Sequence, residues 1–229
     1  MANYLASIYG TEQDKVNCSF YYKIGACRHG DKCSRKHVKP SYSQTILCKN
    51  LYQNPAFANT NNNNNNNNNN GGSYFSGNNA NASNMSPEAL RDHFNAFYED
   101  FFCEAAKFGP LEEVIVCENN NDHLVGNVYA RFKYEADAQK ALDNFSTRWY
   151  DGRPVYCELS PVTDFKEACC RQHDSNECSR GGYCNFIHAK RPPRSLLESL
   201  ELSQYKYLVE QGKADSSDSD DSVDLKRRR

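Results

Sequence analysis

Two copies of one cysteine–histidine spacing constrain this 229-residue chain more than any other feature. The first copy reads Cys18-x8-Cys27-x5-Cys33-x3-His37, and the second reads Cys170-x7-Cys178-x5-Cys184-x3-His188. Three thiolates and one imidazole complete the tetrahedral shell of Zn²⁺, and a full shell leaves no position for a catalytic water. The spacing therefore predicts two structural zinc sites, each holding together a unit of about 25 residues that is too short to bury a core of its own.

The other cysteines indicate a reducing compartment. Five of the eleven cysteines lie outside these ligand sets, namely Cys48, Cys103, Cys117, Cys157 and Cys169. The odd total, the metal-type spacing and the lack of an apolar N-terminal signal argue against a secreted disulfide scaffold. No apolar run approaches the ~20 residues of a membrane span, which predicts a soluble chain without a membrane partner. Cys169 is also a candidate ligand, because Cys169-x8-Cys178 would repeat the first spacing, and spacing alone favours Cys169 over Cys170.

Charge is segregated along the chain, although the formal net charge is only −2. Residues 15–39 carry seven Lys/Arg and one Asp, and residues 166–194 carry six Lys/Arg and three acidic residues. Positive metal-binding units in a chain that is acidic elsewhere are typical of modules that meet phosphate. Solvated surface charge explains the same pattern equally well on charge alone.

Low-complexity stretches mark an insertion and a tail. Residues 59–84 contain fifteen Asn, which predicts a disordered insertion because Asn cannot bury the apolar area that ordering requires. Residues 213–229 are rich in Ser and Asp and end in four basic residues, which predicts a disordered tail with a basic run suited to nuclear import. The predicted division is residues 1–42 for the first finger, 43–162 for a central domain, 163–194 for the second finger, 195–212 for a helix and 213–229 for the tail.

The central segment predicts the order β-α-β-β-α-β. Strands are expected at 45–51, 112–117, 124–133 and 154–159, and helices after the N-cap Ser86 and from Glu135. The first helix carries an apolar stripe at Leu90, Phe94, Phe97, Phe101, Ala105 and Phe108. A last helix is expected from Ser195, with Glu198 completing a capping box, to Gly212. This order predicts an α+β ferredoxin-like sandwich, an RNA recognition motif (RRM) type fold with two helices on one face of a four-stranded sheet.

The RNA-reading residues of this fold are largely missing. The stretch 125–132 (VGNVYARF) matches the longer RRM motif at Gly126, Tyr129 and Phe132 only. Asn127 and Leu47 occupy positions where stacking aromatics are usual. Because each base–aromatic stack is worth ~1–3 kcal/mol, the sheet face is expected to bind RNA poorly, and Tyr129 is interpreted as a packing residue.

Two other features indicate a protein partner. The long helix presents the acidic residues Glu88, Asp92 and Glu99 opposite its apolar stripe. A turn before the last strand reads Arg148-Trp149-Tyr150 and contains the single Trp of the chain. Trp, Tyr and Arg are enriched in binding hot spots, whereas the alternative is that Trp149 caps the core.

Taken together, a Cys3His finger, a degenerate RRM with an Arg-x-aromatic loop and a second such finger resemble the small subunit of the U2 snRNP auxiliary factor. The stretches 122–129 (DHLVGNVY), 158–161 (ELSP) and 168–184 (ACCRQHDSNECSRGGYC) are especially similar, and the resemblance covers nearly all of residues 1–207 outside the Asn tract. It implies a nuclear, non-enzymatic pre-mRNA splicing factor with two zinc ions. It also favours Cys170 over Cys169 as the ligand. An Arg/Ser tail is common in relatives but absent here, which leaves contacts with other spliceosomal proteins open.

The resemblance further implies two binding surfaces. The central domain, a U2AF-homology motif, would bind a Trp-bearing peptide of the large subunit. Arg148 and Tyr150, where relatives usually have Phe, would line the pocket for that Trp. Trp149 would enter a proline cleft of the partner, and Glu88, Asp92 and Glu99 would pair with its basic residues. The fingers would read the AG dinucleotide of single-stranded pre-mRNA at the 3′ splice site. The suited residues are the stacking rings Phe20 and Phe186, the basic Arg28, Arg35, Lys36, Arg171 and Arg180, and the hydrogen-bonding Ser34, Gln172 and Asn185; Tyr21 and Tyr22 remain open as stackers.

Two rival hypotheses fit the motifs less well. A tandem-finger protein that binds AU-rich messages and controls their turnover would carry its fingers close together, whereas these flank a long domain. An enzyme with Cys or His nucleophiles finds no support, because the remaining cysteines lie on predicted strands or a helix and the remaining histidines show no spacing to a base.

Overall fold

A computed structural model describes residues 16–57 and 85–212. The predicted tail and the predicted Asn-rich insertion lie outside the described residues. In chain order the elements are α1 (Ser19–Ile24), β1 (Thr45–Lys49), α2 (Pro87–Ala106), β2 (Leu111–Cys117), β3 (Val128–Phe132), α3 (Glu135–Phe145), β4 (Trp149–Tyr150), β5 (Arg153–Pro154), β6 (Tyr156–Leu159), α4 (Phe165–Ala168), α5 (Arg171–Asp174), β7 (Ala189–Lys190) and α6 (Arg194–Glu210). No helix of the described ranges is long and apolar enough to cross a membrane.

The predicted α+β sandwich is confirmed, with one added strand. Over the described residues the antiparallel sheet has the order β6-β1-β3-β2-β7, and β4 and β5 form a separate hairpin. The fifth strand, β7, directly follows the second Cys/His segment and pairs with β2 through Val116↔Lys190 and Cys117↔Ala189. The prediction of four strands was therefore wrong at one edge, because the exit of the second Cys/His segment extends the sheet.

Several predicted strand bounds are also wrong, for backbone reasons. The strand expected at 45–51 ends at Lys49, since Asn50 adopts a positive φ of 47° that leaves the extended region. The strand expected at 124–133 begins only at Val128, because residues 121–126 form turns and bends in which Gly126 has φ 64°. Pro154 belongs to the hairpin, so β6 begins at Tyr156.

The predicted N-cap is confirmed for α2 but not for the last helix, α6. The Ser86 hydroxyl accepts a hydrogen bond from the Ala89 N–H at 3.2 Å, and Pro87 opens α2 as predicted. The capping box predicted for the last helix is wrong. That helix begins at Arg194 without a side-chain cap, and Glu198 accepts from the Arg194 Nε at 2.8 Å instead.

Both faces of the sheet are buried. On one face, Ile46, Val116 and Ala130 join the aromatic side chains of α2 and the apolar side chains of α3. On the other face, Leu47, Ile115 and Tyr129 pack in one cluster with Ile24 and Ile187 from the two Cys/His segments. The sheet therefore lies between its helices and its two Cys/His segments, and the face on which an RRM stacks bases is covered by protein.

Candidate metal centres and nucleic-acid interface

Within the described ranges, two groups of ligand atoms converge. In each group the ligand atoms lie within 4.8 Å of one another. The first group is Cys18, Cys27, Cys33 and His37, and the second is Cys170, Cys178, Cys184 and His188. The Sγ atoms of Cys27 and Cys33 are 3.9 Å apart, and the Cys170 Sγ lies 3.8 Å from those of Cys178 and Cys184. A tetrahedron with Zn–S bonds of ~2.3 Å has edges of about 3.8 Å. The sulfur separations therefore fit a shared Zn²⁺ ion.

The two histidines present a nitrogen to each cluster. Across the described residues, the Nε2 atoms of His37 and His188 are buried and have no hydrogen-bond partner. Such an atom costs free energy unless it is bound by something else, and a metal ion satisfies it. Ring stacking fixes both imidazoles, His37 on Tyr21 at 4.5 Å and His188 on His173 at 3.9 Å between centroids. The donor set and its geometry fit zinc at both centres.

The structure decides between the two adjacent cysteines, and the preference of the spacing for Cys169 is wrong. Cys170 is the N-cap of α5, and its sulfur belongs to the second cluster. Cys169 ends α4, lies in the core beneath the sheet and forms a bridge with Ile187. Burial raises the pKa of both thiols, that of Cys169 to about 12 and that of Cys170 to about 11, so the position of the sulfur separates them. Cys170, as the resemblance implied, is the sulfur brought together with Cys178 and Cys184.

Both Cys/His segments are closed by the same backbone contact. The Cys18 N–H donates to the Lys36 carbonyl at 2.9 Å, and the Cys170 N–H donates to the Ile187 carbonyl at 2.8 Å. In each case the acceptor immediately precedes the histidine ligand. The two segments are therefore structural repeats as well as sequence repeats.

The second segment is held on the sheet by asparagine side chains that the sequence analysis missed. The amide of Asn119, only 1% exposed, donates to the carbonyls of Cys184 at 3.1 Å and Phe186 at 3.0 Å. Its oxygen accepts from the His188 N–H at 2.8 Å, and Asn121 adds a bond to the Cys184 carbonyl at 2.6 Å. The stretch from Glu118 to Asn121 reads as an ordinary polar loop, so no local pattern marks this role.

Replacing Asn119 by alanine is expected to loosen the second segment, because buried backbone groups around Cys184 and His188 would lose their partners. We expect the free energy of unfolding to fall by about 2–4 kcal/mol, with faster release of zinc to a chromophoric chelator. The adjacent Asn120 is the matched control, since its side chain is exposed and its bond to Gly182 uses the backbone. Asn120→Ala should change stability by less than about 0.5 kcal/mol. Equal effects of the two substitutions would contradict the role of Asn119.

The first segment is anchored through a tyrosine of the sheet. The Tyr129 hydroxyl, which is fully buried, donates to the Ile24 carbonyl at 2.6 Å. The next residue, Gly25, has φ 74°, and a Cβ there would lie 2.6 Å from the Ser160 Oγ. The interpretation of Tyr129 as a packing residue is confirmed, because this ring locks α1 to the sheet.

The residues predicted to contact RNA are mostly exposed, and one pair of them joins the two segments. Phe20 on α1 is 42% exposed and meets the half-buried Phe186 edge-on, with centroids 6.3 Å apart. Asn185 is half-buried beside Phe186. The other predicted contacts are exposed, namely Arg28, Ser34, Arg35, Lys36, Arg171, Gln172 and Arg180. Tyr21 is buried against His37, which leaves Tyr22, 67% exposed, as the available ring of that pair.

The predicted partner-binding residues lie on or next to the β4–β5 hairpin and on α2. Asp151 and Gly152 have φ of 48° and 71°, as a type I′ turn requires, so the β4–β5 hairpin is tight. Trp149 is 70% exposed, so the alternative that it caps the core is wrong. Tyr150 packs edge-on against Phe97 of α2, with ring centroids 5.7 Å apart.

Arg148 forms an ion pair with Glu104, a residue of α2 that the sequence analysis did not single out. Hydrogen bonds from Lys107 and Arg148 lower the pKa of the Glu104 carboxyl. The predicted acidic residues Glu88, Asp92 and Glu99 are all exposed on the same helix. The hairpin thus presents an exposed indole, and α2 presents exposed acidic side chains.

Two Cys3His clusters carried on the sheet of an α+β core define a zinc-finger protein. Residues 13–39 match the family described as "Zinc finger C-x8-C-x5-C-x3-H type (and similar)". The chain is 58% identical over 209 residues to the "Splicing factor U2AF 23 kDa subunit" of Schizosaccharomyces pombe. The aligned region covers 91% of this chain and 87% of that protein. It belongs to the family of U2AF small-subunit splicing factors.

Further relatives give the same family. The "Splicing factor U2af 38 kDa subunit" of Drosophila melanogaster is 55% identical, covering 87% of this chain and 71% of the relative. The "Splicing factor U2AF 26 kDa subunit" of Homo sapiens is 49% identical, covering 87% and 84%. The identification of the family is confirmed, and splicing factors are not enzymes, as predicted. The hypothesis of a protein that controls the turnover of AU-rich messages is not supported by these relatives.

Proposed function

We propose that this chain is the AG-reading subunit of a splicing-factor heterodimer. Two zinc-loaded fingers bind the AG dinucleotide of the 3′ splice site, and the central domain binds a Trp-bearing peptide of the large subunit, which helps to recruit the U2 snRNP. The observation that carries the proposal is the approach of Phe20 to Phe186 across the two fingers. The same proposal includes the division of the chain into two fingers, a central domain, a last helix and a tail. It also includes a location in the nucleus.

The finger surface suits a short single-stranded segment. Phe20 and Phe186 supply two rings at 6.3 Å, and each ring can stack one unpaired base. Exposed basic side chains lie on both segments, including Arg28 and Arg35 on the first and Arg171 and Arg180 on the second. These can contact phosphates, while Ser34, Gln172 and Asn185 can hydrogen-bond to base edges. One finger alone offers half of these groups, so recognition requires both.

Zinc has a structural part in this proposal. When bound, Zn²⁺ joins four side chains in each finger and leaves no coordination position for a reacting water. The fingers then hold their backbone against the sheet through the bonds of Tyr129 and Asn119. Because the fingers bury this face of the sheet, the fingers rather than the sheet contact the RNA.

The hairpin and α2 suit a peptide that carries an aromatic residue and basic residues. Trp149 offers an exposed indole that can enter a cleft in the partner, and Arg148 and Tyr150 flank it on the hairpin. Glu88, Asp92 and Glu99 add negative charge along the same helix, which favours a basic peptide. Binding of the large subunit to the neighbouring pyrimidine-rich RNA would make AG binding effectively intramolecular, so each contact can be modest.

An RNA titration tests the proposal. The zinc-loaded chain, bound to the large subunit's Trp-bearing peptide, is titrated with short RNAs ending in UAG, UCG or UAC at one stated salt concentration. We expect each base change to cost ~1–3 kcal/mol, which is about 5- to 150-fold in affinity. Phe20→Ala and Phe186→Ala should weaken binding to UAG. Tyr183→Ala is the matched control, since that ring is 75% exposed and lies outside the Phe20–Phe186 pair.

Equal affinity for the three RNAs would contradict AG reading. The fingers would then supply only positive charge, and the chain would serve as a scaffold that holds its partner.

A further inference from the structure

Two of the cysteines outside the metal clusters face each other across the sheet. Cys48 of β1 and Cys157 of β6 are direct partners in the antiparallel register, and their Sγ atoms are 3.4 Å apart. Directly opposed residues of antiparallel strands have Cα atoms ~4.5–5.5 Å apart, which lies within the ~4.4–6.8 Å range of disulfides. In the part of the chain that the structure describes, no other thiol pair outside the clusters lies within hydrogen-bonding distance.

One of the two sulfurs can be reached from solvent. Cys48 is fully buried in the core on the helix side of the sheet. Cys157 is half-buried and lines an open groove of about 490 Å³ between β6 and α3, whose walls include Pro40, Leu142 and Ser146. A small reagent can therefore contact Cys157 first, and Cys48 lies behind it.

We propose that Cys48 and Cys157 form a dithiol modification site that closes into an intrachain disulfide when a hydroperoxide oxidises it. The site is independent of the proposed AG reading, because Cys48 packs on the helix side of the sheet, whereas the fingers cover the opposite face. Contact between the sulfurs already exists, so closure requires the Sγ atoms to approach by about 1.3–1.4 Å through side-chain rotation.

The reaction proceeds in two balanced steps. The Cys157 thiol loses its proton, the thiolate attacks one oxygen of hydrogen peroxide, and the O–O bond breaks. The leaving hydroxide takes up the thiol proton, so the products are Cys157 sulfenic acid and water. The Cys48 sulfur then attacks the Cys157 sulfur, an S–S bond forms, and the S–O bond breaks to release a second water. The thiols together lose two electrons and two protons, and hydrogen peroxide is reduced to two molecules of water.

The burial of Cys48 sets the order of these steps. The hydrogen bond to Cys157 and burial raise the pKa of the Cys48 thiol well above its ordinary value, so Cys48 reacts slowly with an external oxidant. Its sulfur nevertheless lies next to Cys157 and acts as the resolving thiol. The pair is thus built for intramolecular capture of an oxidised Cys157 rather than for accumulation of its sulfenic acid.

Peptide mapping of the full, zinc-loaded chain tests the proposal. After treatment with one equivalent of hydrogen peroxide, free thiols are blocked with N-ethylmaleimide and the chain is digested with trypsin. Cys48 and Cys157 fall in the tryptic peptides 37–49 and 149–166, each of which contains one cysteine. We expect a single cross-linked species of these two peptides, which disappears on reduction. The zinc content should stay constant while it forms.

Substitutions make the result specific. In Cys48→Ser the cross-link is absent, and Cys157 becomes labelled by dimedone, which traps sulfenic acid. Cys103→Ser is the matched control, because that thiol is exposed on α2 and should not affect the cross-link. Phenylarsine oxide, which condenses with two neighbouring thiols and releases water, should protect both cysteines of the wild-type chain from alkylation. Loss of zinc before any cross-link forms, or persistent sulfenic acid at Cys157 in the wild-type chain, would overturn the proposal.

Discussion

Cys184→Ser is expected to cost the chain one of its two zinc ions and to unfold the second finger. Cys184 is fully buried, and its sulfur lies 3.8 Å from that of Cys170. A serine hydroxyl does not replace a thiolate ligand. Structural zinc contributes ~10–16 kcal/mol to such units, whereas whole domains are stable by only ~5–15 kcal/mol. The contacts of the finger with the sheet are too few to offset a loss of that size.

Unfolding of the second finger should also destabilise the sheet. Ile187 and Ala189 of this segment pack in one cluster with Ile115, Cys117 and Tyr129, so unfolding exposes that apolar face. Strand β7 would leave the edge of β2 at the same time. Hydrogen exchange should speed up in residues 168–190, while the amides of β1 and β3 stay protected.

The zinc content of the Cys184→Ser chain, measured by elemental mass spectrometry, tests this prediction. We expect it to fall from about two ions to about one per chain. Cys33→Ser is the counterpart in the first finger and should also remove one ion, with faster exchange in residues 16–37 instead. Cys103→Ser, an exposed thiol on α2, should leave both ions bound. Retention of two ions by Cys184→Ser would contradict the assignment of this ligand.

Local patterns predicted the elements whose causes are local. The Ser86-Pro87 cap and the apolar stripe containing Phe94 and Phe97 predicted α2, and the Cys/His spacing predicted both clusters. These features depend on residues only a few positions apart, so they can be predicted from the sequence alone. Spacing alone favoured Cys169 over the observed Cys170, because the choice depends on which of the two packs under the sheet.

The attachment of the fingers to the sheet could not be predicted, because it depends on contacts between distant segments. β7 has two residues and no periodicity, and Asn119 lies 69 residues from His188, whose N–H it accepts. A signal was nevertheless present in β1 and β2. Their residues are apolar on both faces, as in TILC and VIVC, and strands of that kind are buried on both sides. Only the identity of the covering layer required the structure.

Trp149→Ala is expected to weaken binding of the large subunit's Trp-bearing peptide by at least about 30-fold, or ~2 kcal/mol, without affecting the fold. The indole is 70% exposed, so the free chain loses little packing when it is removed. In the proposed complex the same indole is buried in the partner, which makes it a hot spot. Arg148→Ala should also weaken binding, but it removes the ion pair with Glu104 and so disturbs the hairpin as well.

Tyr156→Ala is the matched control for this prediction, because Tyr156 is an aromatic residue of similar exposure, 67%, on β6 and outside the hairpin. Isothermal titration calorimetry of the zinc-loaded variants with one peptide gives the affinities, and thermal unfolding shows whether each variant is folded. A folded Trp149→Ala chain that binds as tightly as the Tyr156→Ala chain would contradict the hairpin as the docking site. Binding would then have to rest on the acidic face of α2, and raising the salt concentration should abolish it, because exposed charge pairs are screened.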